Sequence, residues 1–223
     1  MTRKAKRQQA FVAGFAIYFA LLWMLWETVV AYPLKIFVVL LHELSHAIAV
    51  WSTGGIVDRI TLDPRQGGVT FARGGSAFIA LSAGYLGSLL WGCGLVVVAH
   101  LKRVHAGWVM GAIGLLVLDL TFFYLRGPFA VVFGVLFGAA VLVAGWKLPE
   151  LWNRRSVLVL GMTSCLYAVL DIKSDVLDRP TLPSDAAMLA ELTGWPTVFW
   201  GLLWIAIALG VCTLLLRWAW QRA

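Results

Sequence analysis

The 223-residue sequence predicts an all-α polytopic membrane protein of about seven transmembrane helices, with a small β-hairpin between the second and third. Three observations carry that expectation. The chain is 61% hydrophobic and only 13% charged, far from the balance of a soluble domain. Apolar runs, most of them of the length that crosses a hydrocarbon core, follow one another from end to end. The 18 Lys and Arg residues collect largely at the ends of those runs, where basic side chains anchor membrane helices. That distribution accounts for the formal net charge of +7, and nothing resembles a nucleic-acid-reading module. The bilayer is the expected partner and nucleic acid is not. The chain reads as one integral membrane domain, 1–223. Cys93, Cys165 and Cys212 each fall inside an apolar run, which argues against a disulfide framework or a Cys-ligated zinc and reads as small apolar filler.

The first span is expected over 11–31. It follows Arg3, Lys4, Lys6 and Arg7, is longer and richer in Trp than a signal-peptide core, and runs into Tyr32-Pro33, so it reads as retained. Glu27 falls near its outer end. The second span, 34–52, starts behind Pro33, which suits a first helical turn, and ends near Ser52-Thr53-Gly54-Gly55. There the period changes. Ile56, Asp58, Ile60 and Leu62 alternate with Val57, Arg59 and Thr61, and the turn-rich 63–68 leads into Val69-Thr70-Phe71-Ala72. This pattern predicts a hairpin at the membrane surface.

The third span, 76–100, repeats Ala80, Gly84, Ser88 and Gly92 at four-residue intervals, a small-residue stripe for close helix packing. His100 and His105 in the next loop read as interface histidines. Spans four and five, 107–125 and 128–146, meet at Arg126-Gly127, and the fourth carries Asp119 in mid-run. The sixth, 156–172, ends in Asp171, with Asp175 one turn on. The segment 173–195 is the longest polar stretch, and Ser184 is placed to cap a short helix reaching Thr193-Gly194. The seventh span, 196–216, precedes Arg217, Trp218, Trp220 and Arg222, which read as interfacial anchors. Seven alternating crossings put the N-terminus, the hairpin and 173–195 on one side. The four basic residues before the first span assign that side to the cytoplasm, for a multi-pass protein of the cell (plasma) membrane.

The chemistry-bearing stretch is Leu40-Leu41-His42-Glu43-Leu44-Ser45-His46-Ala47, an HExxH inside the second span. On a helix His42 and His46 project from one face and can hold one metal ion, while Glu43 points about 100° away, near a metal-bound water. Ionisable groups at membrane depth are costly, and function is their usual explanation. The pattern predicts a zinc hydrolase with Glu43 as the catalytic base and His42 and His46 as metal ligands.

Residues 40–72, together with Gly84-Tyr85-Leu86-Gly87-Ser88 and the late stretch Ser184-Asp185-Ala186 with Leu189-Ala190-Glu191-Leu192-Thr193-Gly194, resemble the site-2 protease family of intramembrane zinc metallopeptidases, in its B-type branch. The resemblance implies a polytopic peptidase that uses Zn2+ and cleaves a membrane-protein or peptide substrate. It also implies that Gly84 and Gly87 lie on the glycine-bearing helix flanking the zinc. Zinc needs a third protein ligand beyond the two histidines, and a carboxylate is expected. Depth along the spans favours Asp119. The stretch Tyr167-Ala168-Val169-Leu170-Asp171 resembles the family's aspartate-bearing late helix, so Asp171 is placed first, Asp175 second and Asp119 third. Asp185 reads as a first-turn acid favoured by its helix dipole, within a block that matches the family. Ile60 and Thr61, on a strand expected to have a free edge, are the candidate substrate clamp. Two other readings stay open: a non-proteolytic metal-binding chaperone or regulator, and a transporter with an intramembrane carboxylate relay.

Overall fold

The computed structural model describes residues 3–26, 28–173, 176 and 184–222. In chain order these form α1 (Arg3–Leu25), α2 (Tyr32–Ser52), β1 (Ile56–Asp63), β2 (Gly67–Arg73), α3 (Ala77–His100), α4 (Ala106–Phe123), β3 (Leu125–Arg126), α5 (Pro128–Lys147), α6 (Glu150–Ile172), α7 (Asp185–Thr193) and α8 (Thr197–Arg222). All but α7 of the helices, seven in number, are long and apolar enough to cross a membrane. The protein is an integral membrane protein with a small sheet inlaid among its helices.

The second helix is central because apolar residues lie on nearly every face of it. Residues from Ile36 to Leu41, together with Leu44, Ala47 and Val50, are all buried. Helix α3 runs antiparallel to it, with Ala80 opposite His46 and Gly84 opposite His42. Helix α6 runs antiparallel to α3: Ser164 donates to the Ser88 carbonyl at 2.7 Å, and Arg154 to the Ala99 carbonyl at 2.9 Å. The α3–α6 crossing depends on missing side chains. A Cβ on Gly92 would stand 2.8 Å from the Gly161 carbonyl, and one on Gly161 2.8 Å from the Gly92 carbonyl. Glycines do the same for α4 and α5, at Gly107 against Gly145 and Gly114 against Gly138.

Helix α6 begins at Glu150, earlier than hydropathy suggested, because its polar first turns are fully employed. Glu150 accepts from the Ala106 N–H, and Arg154 donates to the carbonyls of Leu101 and Val104, so α6 caps the loop between α3 and α4. The short helix α7 starts where expected. The Ser184 hydroxyl accepts from the Ala187 N–H at 3.2 Å, and Gly194 ends the helix in the left-handed region at φ 78°.

The hairpin is present, and it folds back along α2 instead of extending away from the end of that helix. Asp63 closes the turn by accepting the Arg65 N–H at 2.6 Å, and the Tyr32 hydroxyl, at the start of α2, donates to the Pro64 carbonyl at the tip. The strands therefore fold back along α2, with Val57, Ile60 and Leu62 buried in the core that α2 organises. A bulge at Asp58 leaves its carboxylate to take two bonds from Arg73, which holds that carboxyl below its usual range. A third strand was not anticipated. Sheet order is β2-β1-β3, and β3 pairs parallel with β1 at Ile60–Leu125 and Thr61–Arg126.

The path of α1 also differs from expectation. Tyr18 meets Thr163, and Trp26 just beyond the helix meets Tyr167, so α1 runs in the same sense as α6 and hence as α2. Gln8 reaches the Trp220 carbonyl near the end of α8. The first turns of α1 thus lie beside the end of α8 and not at the hairpin end of α2, where strict alternation of seven crossings would put them.

The α3–α6 crossing yields the first prediction. Gly161→Leu drives a side chain into backbone with nowhere to move, which should cost about 1–3 kcal/mol. A fall in the thermal unfolding midpoint in detergent, absent for Gly210→Leu at a position with open space, checks it.

Candidate metal centre

His42 and His46, one turn apart on α2, stack edge to face with ring centroids 4.6 Å apart. Their Nε2 atoms face a common point, and the third group there is the carboxylate of Asp185. Its Oδ2 lies 3.0 Å from His42 Nε2 and 3.2 Å from His46 Nε2. Helix α7 delivers it. Ala186 and Leu189 are fully buried against Tyr85, Ile172, Val176 and Trp204, which fixes the helix and leaves its first residue pointing at α2.

The protons in this cluster are constrained. His46 Nδ1 lies 2.7 Å from the Ala80 carbonyl, which can only accept, so Nδ1 carries a hydrogen. In a neutral ring the His46 Nε2 then presents a lone pair toward Asp185. Oδ2 of Asp185 is buried and finds no hydrogen-bond partner among the described residues. Lone pairs converging in a buried site call for a cation to share, and the donor set suits a metal ion. The nearest ligand atoms of His42, Glu43 and His46 also lie within 4.8 Å of one another, a group able to hold a metal.

Glu43 is held by the hairpin. The Thr70 hydroxyl stands 2.6 Å from Glu43 Oε2 and 3.0 Å from the Glu43 carbonyl, and a Cβ on Gly68 would come within 2.6 Å of Oε1. Strand β2 therefore lies directly on this carboxylate. Gly84 is required by the centre itself, since an added Cβ would collide with His42 Nε2 and approach Asp185 Oδ2 to 2.7 Å. Gly87 makes room for Ser45 on the same helix face. Tyr85 packs edge to face on His42 at 4.8 Å and is backed by Trp204 at 5.2 Å.

The other sequence candidates lie elsewhere. Asp171 is half-buried on α6, within electrostatic reach of His42, but it is Asp185 that stands against both imidazoles. Asp119 faces outward on α4. Asp175 lies outside the described residues. The free edge expected at Ile60 and Thr61 is occupied. Ile60 is 0% exposed, its N–H donates to the Tyr124 carbonyl at 2.9 Å, and both residues pair with β3. The hairpin's other edge, on β2, has no further strand beside it in the described sheet. Sequence reasoning missed Gly68 and Thr70 as supports of Glu43. For Asp185 the signal was present in the Ser184 cap, which predicts a helix starting there.

An HExxH helix enclosed by apolar spans and completed by a distant carboxylate defines a polytopic membrane protein with a buried metal-competent centre. The family model for Peptidase M50B-like proteins matches residues 15–215, and the chain belongs to that peptidase family. No curated protein and no solved structure matches it.

Gly84→Ala tests the fit of the centre. Outer-shell partners of metal ligands are worth 10–100-fold in affinity, so displacing a donor ring should weaken metal retention at least about tenfold. Metal per chain, measured after purification without chelators, should fall in Gly84→Ala and hold in Gly94→Ala, where a Cβ meets open space.

Proposed function

We propose that this protein is an intramembrane zinc metalloprotease that hydrolyses peptide bonds of membrane-embedded substrates. His42, His46 and Asp185 would hold the ion, and Glu43 acts as general base. The observation that carries the reading is the convergence of His42 Nε2, His46 Nε2 and Asp185 Oδ2 at 3.0 and 3.2 Å. Donors around a tetrahedral zinc, at about 2.0–2.1 Å from the ion, stand about 3.3 Å apart, close to that spacing. When bound, zinc supplies Lewis acidity toward a carbonyl and acidifies a coordinated water.

The chain's own groups do the rest. Glu43, set by Thr70 and Gly68, takes the proton of the attacking water and returns it to the leaving amine. A helical peptide bond is shielded, so the substrate must be drawn out into extended chain before attack. The unpaired edge of β2 offers main-chain hydrogen bonds for that purpose, beside Glu43. Val69 and Phe71 on this strand are exposed and apolar, suited to a lipid-borne segment. A scaffold that only stored metal would have no use for a carboxylate so tethered.

Glu43→Gln should keep its zinc and lose about 10²–10⁴-fold in peptide cleavage, the usual worth of a general base. Asp185→Asn should lose zinc, and Asp171→Asn should keep most of it. Elemental analysis beside cleavage of a model transmembrane substrate reads both. A wild-type chain that binds no stoichiometric zinc, or an Asp185→Asn chain that binds it fully, would falsify this assignment.

The edge of β2 makes its own prediction. Proline at Val69 or Ala72, positions whose N–H groups face opposite edges, should split: one variant disturbs pairing with β1, the other removes an outward donor. The outward variant should raise KM or abolish cleavage with zinc content and thermal midpoint unchanged. Cleavage at the wild-type rate in a fully folded outward variant would remove the edge from the mechanism.

A further inference from the structure

All three cysteines of the chain, one each on α3, α6 and α8, come together in one packed cluster with Leu89, Ala168 and Ala208. The thiols are free. Cys93 Sγ lies 3.8 Å from Cys165 Sγ, and Cys212 packs against the cluster that holds Cys165 and lines the same cavity, so Cys165 is the buried member that both others approach. Small size alone explains one cysteine at a tight crossing such as that of Gly92 and Gly161. It does not explain three cysteines from three helices gathered in one cluster.

The surroundings select the chemistry. Binding a soft metal requires thiolates, and bare thiolate charge in an apolar bundle is costly. Conversion of two thiols to a disulfide leaves the site neutral before and after. A cavity of about 450 Å³ between α1, α6 and α8 leads to it, lined by Cys165 and Cys212 with apolar neighbours such as Phe15, Phe19 and Met162. That route suits a lipophilic oxidant and excludes charged ones.

We propose that Cys93, Cys165 and Cys212 form an intramembrane redox site, with Cys165 as the common partner, that is oxidised by a lipid-soluble quinone. The S–H bonds of Cys165 and one neighbour break and one S–S bond forms. The quinone takes up the two hydrogens with two electrons and leaves as the hydroquinone. A bond to Cys93 ties α6 to α3, which carries Gly84 and the Ala80 carbonyl of the metal centre, and a bond to Cys212 ties α6 to α8. The site stands independently of the proteolytic reading.

The test uses the full chain in lipid nanodiscs with a fully substituted short-chain benzoquinone, which cannot add to thiols at the ring. After denaturation and alkylation, intact mass and peptide mapping count free thiols and locate the bond. The expected result is a fall from three alkylated cysteines to one, a Cys165 cross-link to Cys93 or Cys212, and stoichiometric hydroquinone. Cys165→Ser should leave both remaining thiols alkylatable, with its thermal midpoint unchanged. Gly14→Phe, which grows into the open space of the cavity, should slow the reaction with quinone. Three alkylatable thiols after quinone treatment, or a Cys93–Cys212 bond in Cys165→Ser, overturns the proposal.

Discussion

Two imidazoles and a carboxylate aimed at one point inside an apolar bundle are the constraint that the rest of the structure serves. Left without a shared cation, such a cluster is expensive in low dielectric, so everything around it must be rigid enough to keep the donors in place. Helix α2 supplies the rigidity by being buried on nearly every face. Helix α3 approaches so closely at Gly84 that no side chain fits, and its Ala80 carbonyl sets the tautomer of His46. Helix α7 is held by Ala186 and Leu189, two small contacts whose purpose is the position of the residue before them.

The sheet is the second organising device. A hairpin laid outside the membrane would do nothing for Glu43. Folded back along α2, it brings a hydroxyl and a glycine onto that carboxylate and buries its own apolar face in the same step. Pairing with β3 pins β1 from the other side, which turns the hairpin into a fixed wall with one open edge. The polar backbone this places among the helices is tolerated because most of it is bonded within the sheet.

Local signals in the sequence were read well, and tertiary ones were not. The spans, the HExxH face, the alternation of Ile56 to Leu62 and the Ser184 cap all follow from periodicity or capping within a few residues. Depth along a span spoke for Asp119 and resemblance to a late helix for Asp171, both residues inside spans, while the structure stands Asp185 against both imidazoles. The docking of a short helix on Tyr85 and Trp204 after the sixth span is a long-range packing outcome with no local marker. The same is true of β3, two residues long and visible only through its partner, and of α1, whose direction is set by Tyr18 and Trp26 finding α6. The cysteines read correctly as residues of apolar runs, while their meeting depended on how three helices cross.

The origin of the third donor has a consequence for biosynthesis. His42 and His46 leave the ribosome early, whereas Asp185 follows only after the sixth span has been made and α7 must then dock. Until that moment the histidine pair lacks its carboxylate, and the nascent chain carries an unfinished centre through most of its insertion. Placing that carboxylate late in the chain ties assembly of the cluster to completion of the fold.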